Sequence, residues 1–141
     1  MQLGACFAGL AIENSMLGAA HALANALTAN YGIVHGQAVG MMLPHVVRFN
    51  AVEMDESYVD LLEVAAGAHG APSPRTGGEG LAGFLTGLVK DAGLKTMLSE
   101  LNVDRDKLPK LASEAAEQWV GKFNPRDVTK ETLLELYEQA F

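Results

Sequence analysis

Between Met1 and Asn50 the chain carries only two formal charges, Glu13 and Arg48. That near-absence constrains the fold more than any other feature. A helix on the surface of a small globular protein needs a polar face, whereas a helix apolar all round belongs inside a larger structure or against a partner. Leu3, Cys6, Phe7, Leu10 and Ala11 already follow helical spacing, with no capping residue before them. The expected element is a helix without a start signal, as in a segment cut from something longer.

The remaining chain reads as ordinary amphipathic helices. Leu81, Phe84, Leu85, Leu88, Val89 and Ala92 make one apolar stripe, and Leu108, Leu111, Ala112, Ala115, Ala116 and Trp119 make another. Tyr58, Leu61, Leu62, Ala65 and Ala66 form a shorter one. Leu133, Leu136, Tyr137 and Ala140 form the last, with Thr129 placed as N-cap and Glu131 near the positive helix end. Pro109 suits the first turn of its helix. Gly70 to Gly78, read as GAPSPRTGG, predicts a loop, and Asn124-Pro125 a turn. Strand signals are nearly absent. The expected fold is all-α, a helical bundle of about six or seven helices in one domain over 1–141, with the Gly70–Gly78 loop separating two helical groups.

Composition narrows the function. With 141 residues, 49% of them hydrophobic and 19% charged, the chain can build a core and is not disordered. A single cysteine, Cys6, excludes a disulfide scaffold. The net charge of −7 argues against nucleic acid or an anionic membrane as partner. No segment is long and apolar enough to span a bilayer, and no basic residue precedes the run Leu3 to Ile12, so a cytoplasmic location is expected. There is no GxGxxG, P-loop, GxSxG or CxxC; GGEG at Gly77 to Gly80 has no strand before it.

Chemistry is concentrated in the uncharged region. His21 lies in a helical segment from about Ser15, its candidate cap, to Tyr31, which Gly32 could end. His35 opens the next segment, fourteen positions on. Two helices joined by so short a turn can bring the imidazoles together, and neutral imidazole suits Zn²⁺ or Fe²⁺. Equally, each ring can be satisfied by hydrogen bonds in a core. Asn25 is one turn beyond His21 on the same face, pointing into the same site or bonding in the core. His45 reads as a packing or hydrogen-bonding residue, and His69 as a helix-end imidazole.

The stretch Gly9 to Asn50, GLAIENSMLGAAHALANALTANYGIVHGQAVGMMLPHVVRFN, closely resembles the signature of the iron-containing, metal-dependent (group III) alcohol dehydrogenases. A G-x2-H-x3-H element, a second H-G and LPHV-x-R-[FY]-N follow one another in that family. The ending NPRDVTKETLLELYEQAF is similar to the family's ending. The resemblance implies a two-domain protein whose N-terminal α/β domain binds NAD(P) and whose helical C-terminal domain carries most of a site for Fe²⁺ or Zn²⁺. This chain resembles the C-terminal domain alone. It implies one Asp and three His as ligands, with His21 and His35 matching the third and fourth. The D-x3-H element supplying the others lies upstream and is absent here. Asn25 stands where many members carry a further His beside the cofactor, and Ile12 matches a substrate-pocket wall.

Two readings follow. One is the metal-binding domain of an NAD(P)-dependent alcohol dehydrogenase, catalytically incomplete by itself. The other is a helical interaction module derived from that family without catalysis. A two-His hydrolase site is disfavoured by the lack of a carboxylate between Ser15 and Phe49. Either reading leaves residues 1–50 more apolar than a small bundle can bury, so a homo-oligomer pairing through them is expected.

Overall fold

The computed structural model describes residues 2–69 and 77–141, and every regular element among them is helical. The order is α1 (Gln2–Ser15), α2 (Ala19–Tyr31), α3 (His35–His69), α4 (Gly77–Asp91), α5 (Leu108–Ala116) and α6 (Lys130–Gln139). Short 3₁₀ turns occupy Leu98–Leu101, Arg105–Lys107 and Trp119–Phe123. The fold is all-α, as the stripes require.

Helix α2 is the centre. Its Ala19, Ala20, Ala22, Leu23, Ala24, Ala26 and Leu27 are buried, covering more than one face. Small side chains let neighbours approach from several sides, and α3, α5, α6 and the Trp119–Phe123 turn all pack on it. The main core adds Met41, Met42 and Val46 of α3, Leu108 and Leu111 of α5, and Leu133, Leu136 and Tyr137 of α6. Tyr137 is fully buried and its hydroxyl donates to the Leu23 carbonyl at 2.7 Å. Burial, then the charge of Glu114, pushes this phenol far above its ordinary pKa, so it remains a neutral donor. A smaller core joins Val47 and Leu62 of α3 to Leu81 and Ala82 of α4.

Helix α6 starts as its sequence dictates. The Thr129 side chain accepts from the Thr132 N–H, and the Thr132 hydroxyl accepts from the Thr129 N–H. Gly32 ends α2 at φ +64°, the left-handed conformation favoured at a helix C-cap. Pro109 lies in the first turn of α5.

Four expectations are revised. Ser15 does not cap α2; its hydroxyl donates to the Ala11 carbonyl within α1, and α2 begins at Ala19. Trp119 is not on the α5 stripe, because α5 ends at Ala116; the indole is 55% exposed, edge-on to Phe123 at 5.7 Å. The Tyr58–Ala66 stripe is part of the long α3, which runs through Pro44, and Leu61 of that stripe is exposed. Most of the expected Gly70–Gly78 loop lies outside the described residues, while Gly77 and Gly78 form the first turn of α4. That turn sits close on α3: a Cβ on Gly77 would collide with the Asp55 carbonyl, and one on Gly78 with Ala51. Asp55 Oδ1 also accepts from the Gly78 N–H at 2.7 Å, so the GGEG glycines serve helix-to-helix contact.

Helix α1 behaves otherwise. It meets α2 at a bend of 104° and buries none of its residues. Leu3, Phe7, Leu10, Ile12 and Met16 are all exposed. Among the described residues no single helix is long and apolar enough to cross a membrane.

Candidate metal-binding histidine pair

His21 sits in the first turn of α2, and His35 is the first residue of α3. The structure brings their rings together, with centroids 5.4 Å apart and planes tilted by 50°. His21 is half-buried and His35 exposed. Burial, and secondly the His35 ring, hold His21 below the ordinary histidine pKa. A neutral His21 keeps a nitrogen lone pair, the state a metal ligand requires. Two imidazoles are donors that suit a borderline ion such as Zn²⁺ or Fe²⁺, and among the described residues no His, Cys, Asp or Glu makes them a group of three.

The neighbouring residues divide. Asn25 is half-buried, and its Nδ2 donates to Gln118 Oε1 at 3.2 Å, tying α2 to the chain just after α5. This contact takes up one donor of the amide, on the core-bonding side of the two readings for Asn25. Ile12 lies on α1, 40% exposed. His45 is half-buried on α3 beside Arg48; burial and that guanidinium lower its pKa. It lines a cavity of about 310 Å³ with Met41, Val89, Met97 and Phe141. The side chain of His69 lies outside the described residues.

The start of each histidine-bearing helix is held by a side-chain amide. Gln37, two residues after His35, donates from Nε2 to the Lys95 carbonyl at 2.7 Å and accepts the Lys95 N–H at 3.1 Å. Ala19, two residues before His21, donates its N–H to Asn124 Oδ1 at 3.3 Å. Sequence reasoning marked Asn124 only as a turn and did not single out Gln37 or Gln118. No local pattern reveals a partner 105 positions away.

Comparison with known proteins adds the frame. The description "Fe-containing alcohol dehydrogenase family, C-terminal" matches residues 1–141. The chain is 33% identical over its whole length to lactaldehyde reductase of Escherichia coli (strain K12), of which it covers 37%. It is 30% identical, again over its whole length, to 1,3-propanediol dehydrogenase of Klebsiella pneumoniae, covering 36%. The solved structure of a 1,3-propanediol oxidoreductase superposes with a TM-score of 0.80 at 29% identity, over 89% of this chain and 33% of that one. The chain thus spans about a third of the length of each of these relatives.

Proposed function

This chain belongs to the Fe-containing alcohol dehydrogenase family, and from that premise we propose that it is the metal-binding helical part of an NAD(P)-dependent alcohol dehydrogenase. The observation that carries the reading is the approach of the His21 and His35 rings to 5.4 Å. These two imidazoles would hold Fe²⁺ or Zn²⁺ together with donors from an upstream domain. The chemistry a divalent ion supplies at such a site is polarisation of an alcohol or carbonyl oxygen, which readies it for hydride exchange with a nicotinamide. His21 contributes a neutral ring on a helix buried along most of its length. Asn25 replaces a titratable ring with an amide already engaged by Gln118, so proton transfer in the whole enzyme runs through another group. Ile12 would face substrate only once α1 is covered. The location that fits this reading is the cytoplasm.

Two ligands bind a divalent ion weakly, and the nucleotide site is assigned to the upstream domain, so this chain alone is expected to be inactive. The test measures Zn²⁺ binding and NAD-dependent alcohol oxidation, for this chain and for the chain joined to an upstream nucleotide-binding domain of the family. Weak binding that His21→Ala or His35→Ala abolishes, with turnover only in the joined protein, supports the reading. Robust turnover by this chain alone overturns its incompleteness. Zn²⁺ binding indifferent to both substitutions overturns the ligand assignment.

One observation favours the second reading, an oligomerisation module: α1 has no buried residue. The occupant we propose for that surface is a second copy of this chain. Helix α1 is about 21 Å long, and Trp119 and Phe123 are further exposed rings, on the turn that packs on α2. A specific interface buries roughly 800 Å² per partner, the extent that two such surfaces paired about a two-fold axis have to reach. Light scattering should show a dimer that Leu10→Asp dissociates. A monomer at micromolar concentration removes this reading and leaves an upstream domain as the cover.

A further inference from the structure

Helix α2 lacks a cap of its own. Its N-cap residue is Gly18, extended at φ −135° and ψ −154°, with no side chain to accept a first-turn N–H. Asn124 supplies the missing acceptor from across the chain. Its Oδ1 takes the Ala19 N–H at 3.3 Å and the Asn50 Nδ2 at 3.1 Å. Its Nδ2 donates to Asn50 Oδ1 at 2.7 Å and to the Arg126 carbonyl at 2.7 Å. Every hydrogen-bonding valence of this amide is therefore used. Asn50 is 4% exposed, the buried polar residue among the described ones, and it lies on α3, the helix that His35 opens. Arg126 fixes the same turn to α3, donating to the Phe49 carbonyl at 2.9 Å and lying over the Phe49 ring at 4.1 Å.

We propose that Asn124 is a positioning residue for the histidine pair, capping α2 in trans and locking the first turn that carries His21 to the helix that carries His35. The proposal rests on the pair's assignment as ligands, but its geometry does not. The Gln37–Lys95 clamp holds the start of α3 separately. Loosening Asn124 thus frees the first turn of α2 and unpairs Asn50 in the middle of α3, while the end of α3 that carries His35 keeps its own clamp. Glycine at 18 follows from the same arrangement, since a Cβ there would meet Asn124 Oδ1 at 3.1 Å. The geometry thus makes cap and glycine interchangeable: remove the Asn124 side chain, and a serine at 18 has both the room and the backbone conformation to cap α2 itself.

The experiment compares the full chain with Asn124→Ala, Gly18→Ser and the double variant. It reads thermal midpoint, Zn²⁺ affinity, and the NMR proton–proton contact between the two imidazoles without metal. Asn124→Ala should weaken Zn²⁺ binding about tenfold, the low end for groups that orient a ligand, and should lose the ring-to-ring contact. The double variant should recover both, while Gly18→Ser alone should not improve on the parent. Should Asn124→Ala fail to fold, the double variant against the parent still decides: an unchanged ring contact there supports the exchange of caps. A lower midpoint with affinity and ring contact intact overturns the proposal, leaving Asn124 a purely structural residue. A double variant that regains its midpoint without the ring contact overturns it too. Zn²⁺ binding that survives His21→Ala removes the ligand assignment instead, and the ring contact alone then judges Asn124.

Discussion

Helices α1 and α2 are neighbours of similar length and almost no charge, yet α2 buries seven of its thirteen residues and α1 none of its fourteen. The difference lies in what each side chain can sit against. Alanines along α2 let α3, α5, α6 and the Trp119–Phe123 turn close in around it. Helix α1 carries bulkier groups, Leu3, Phe7, Leu10 and Ile12, and turns away from that cluster through 104°. An uncharged helix therefore announces that it needs covering without announcing what covers it. In α2 the cover is the rest of this chain; in α1 no residue is covered by the described part of the chain.

The largest expected effect sets the two helices directly against each other. Leu27→Ala in α2 removes a fully buried side chain and should cost about 2–5 kcal/mol. Leu10→Ala in α1 removes one that is 53% exposed, and at dilution should change stability by less than about 0.5 kcal/mol. Urea unfolding of both variants, at low and high protein concentration, checks this. A concentration-dependent loss for Leu10→Ala points to a covering second copy. An equal loss for both at dilution breaks the comparison, because α1 would then be packed within one chain.

The contrast also explains how much of the molecule was readable in advance. Local signals were: the Thr129 cap, the Gly32 stop, Pro109 and most of the apolar stripes of α4 to α6 depend on residues within a few positions of each other, although Leu88 is exposed, Ala92 falls past the end of α4 and Trp119 past the end of α5. The approach of His21 and His35 was legible as a possibility, since a three-residue turn joins their helices. The parts that were not legible depend on partners far along the chain. Asn124 starts α2 from 105 positions away, which is why Ser15 looked like the cap. Asp55 accepts from the first turn of α4, which is why Gly77 and Gly78 looked like loop. Nor does any local signal show that α3 runs on through a buried Pro44 to His69.

A smaller effect probes the link between α2 and α6. Tyr137→Phe keeps the packing and deletes the donor to the Leu23 carbonyl. The expected loss is about 1–2 kcal/mol, a buried hydrogen bond with its acceptor left short of a partner. Differential scanning calorimetry would register it. A loss below measurement would mean that α2 is held by shape alone.

Gly32→Ala should cost about 1 kcal/mol. At φ +64° a Cβ is strained by the backbone itself, although nothing lies within 4 Å of where it would stand. The same substitution at Gly9, in the middle of α1 with similar open space, should instead stabilise that helix. Opposite signs at the two glycines, read by thermal unfolding and helical circular dichroism, sharpen the comparison; equal signs would mean that the turn after α2 relaxes freely.

The smallest expected effect has a favourable sign. Thr28 lies on α2, and its hydroxyl oxygen is buried with no hydrogen-bond partner. Its carbonyl is engaged, accepting the Gly32 N–H at 3.0 Å, so only the side chain is unsatisfied. Thr28→Val keeps the branched shape and removes the group that loses water without compensation. Stability should rise by a few tenths to about 1 kcal/mol, since deleting an unpaired buried hydroxyl relieves its desolvation cost. On α1 the corresponding exchange would have no basis, because none of its residues is buried. A fall in stability for Thr28→Val would show that the hydroxyl has a partner in solution, such as a bound water, and that the interior around α2 is less dry than its alanines make it.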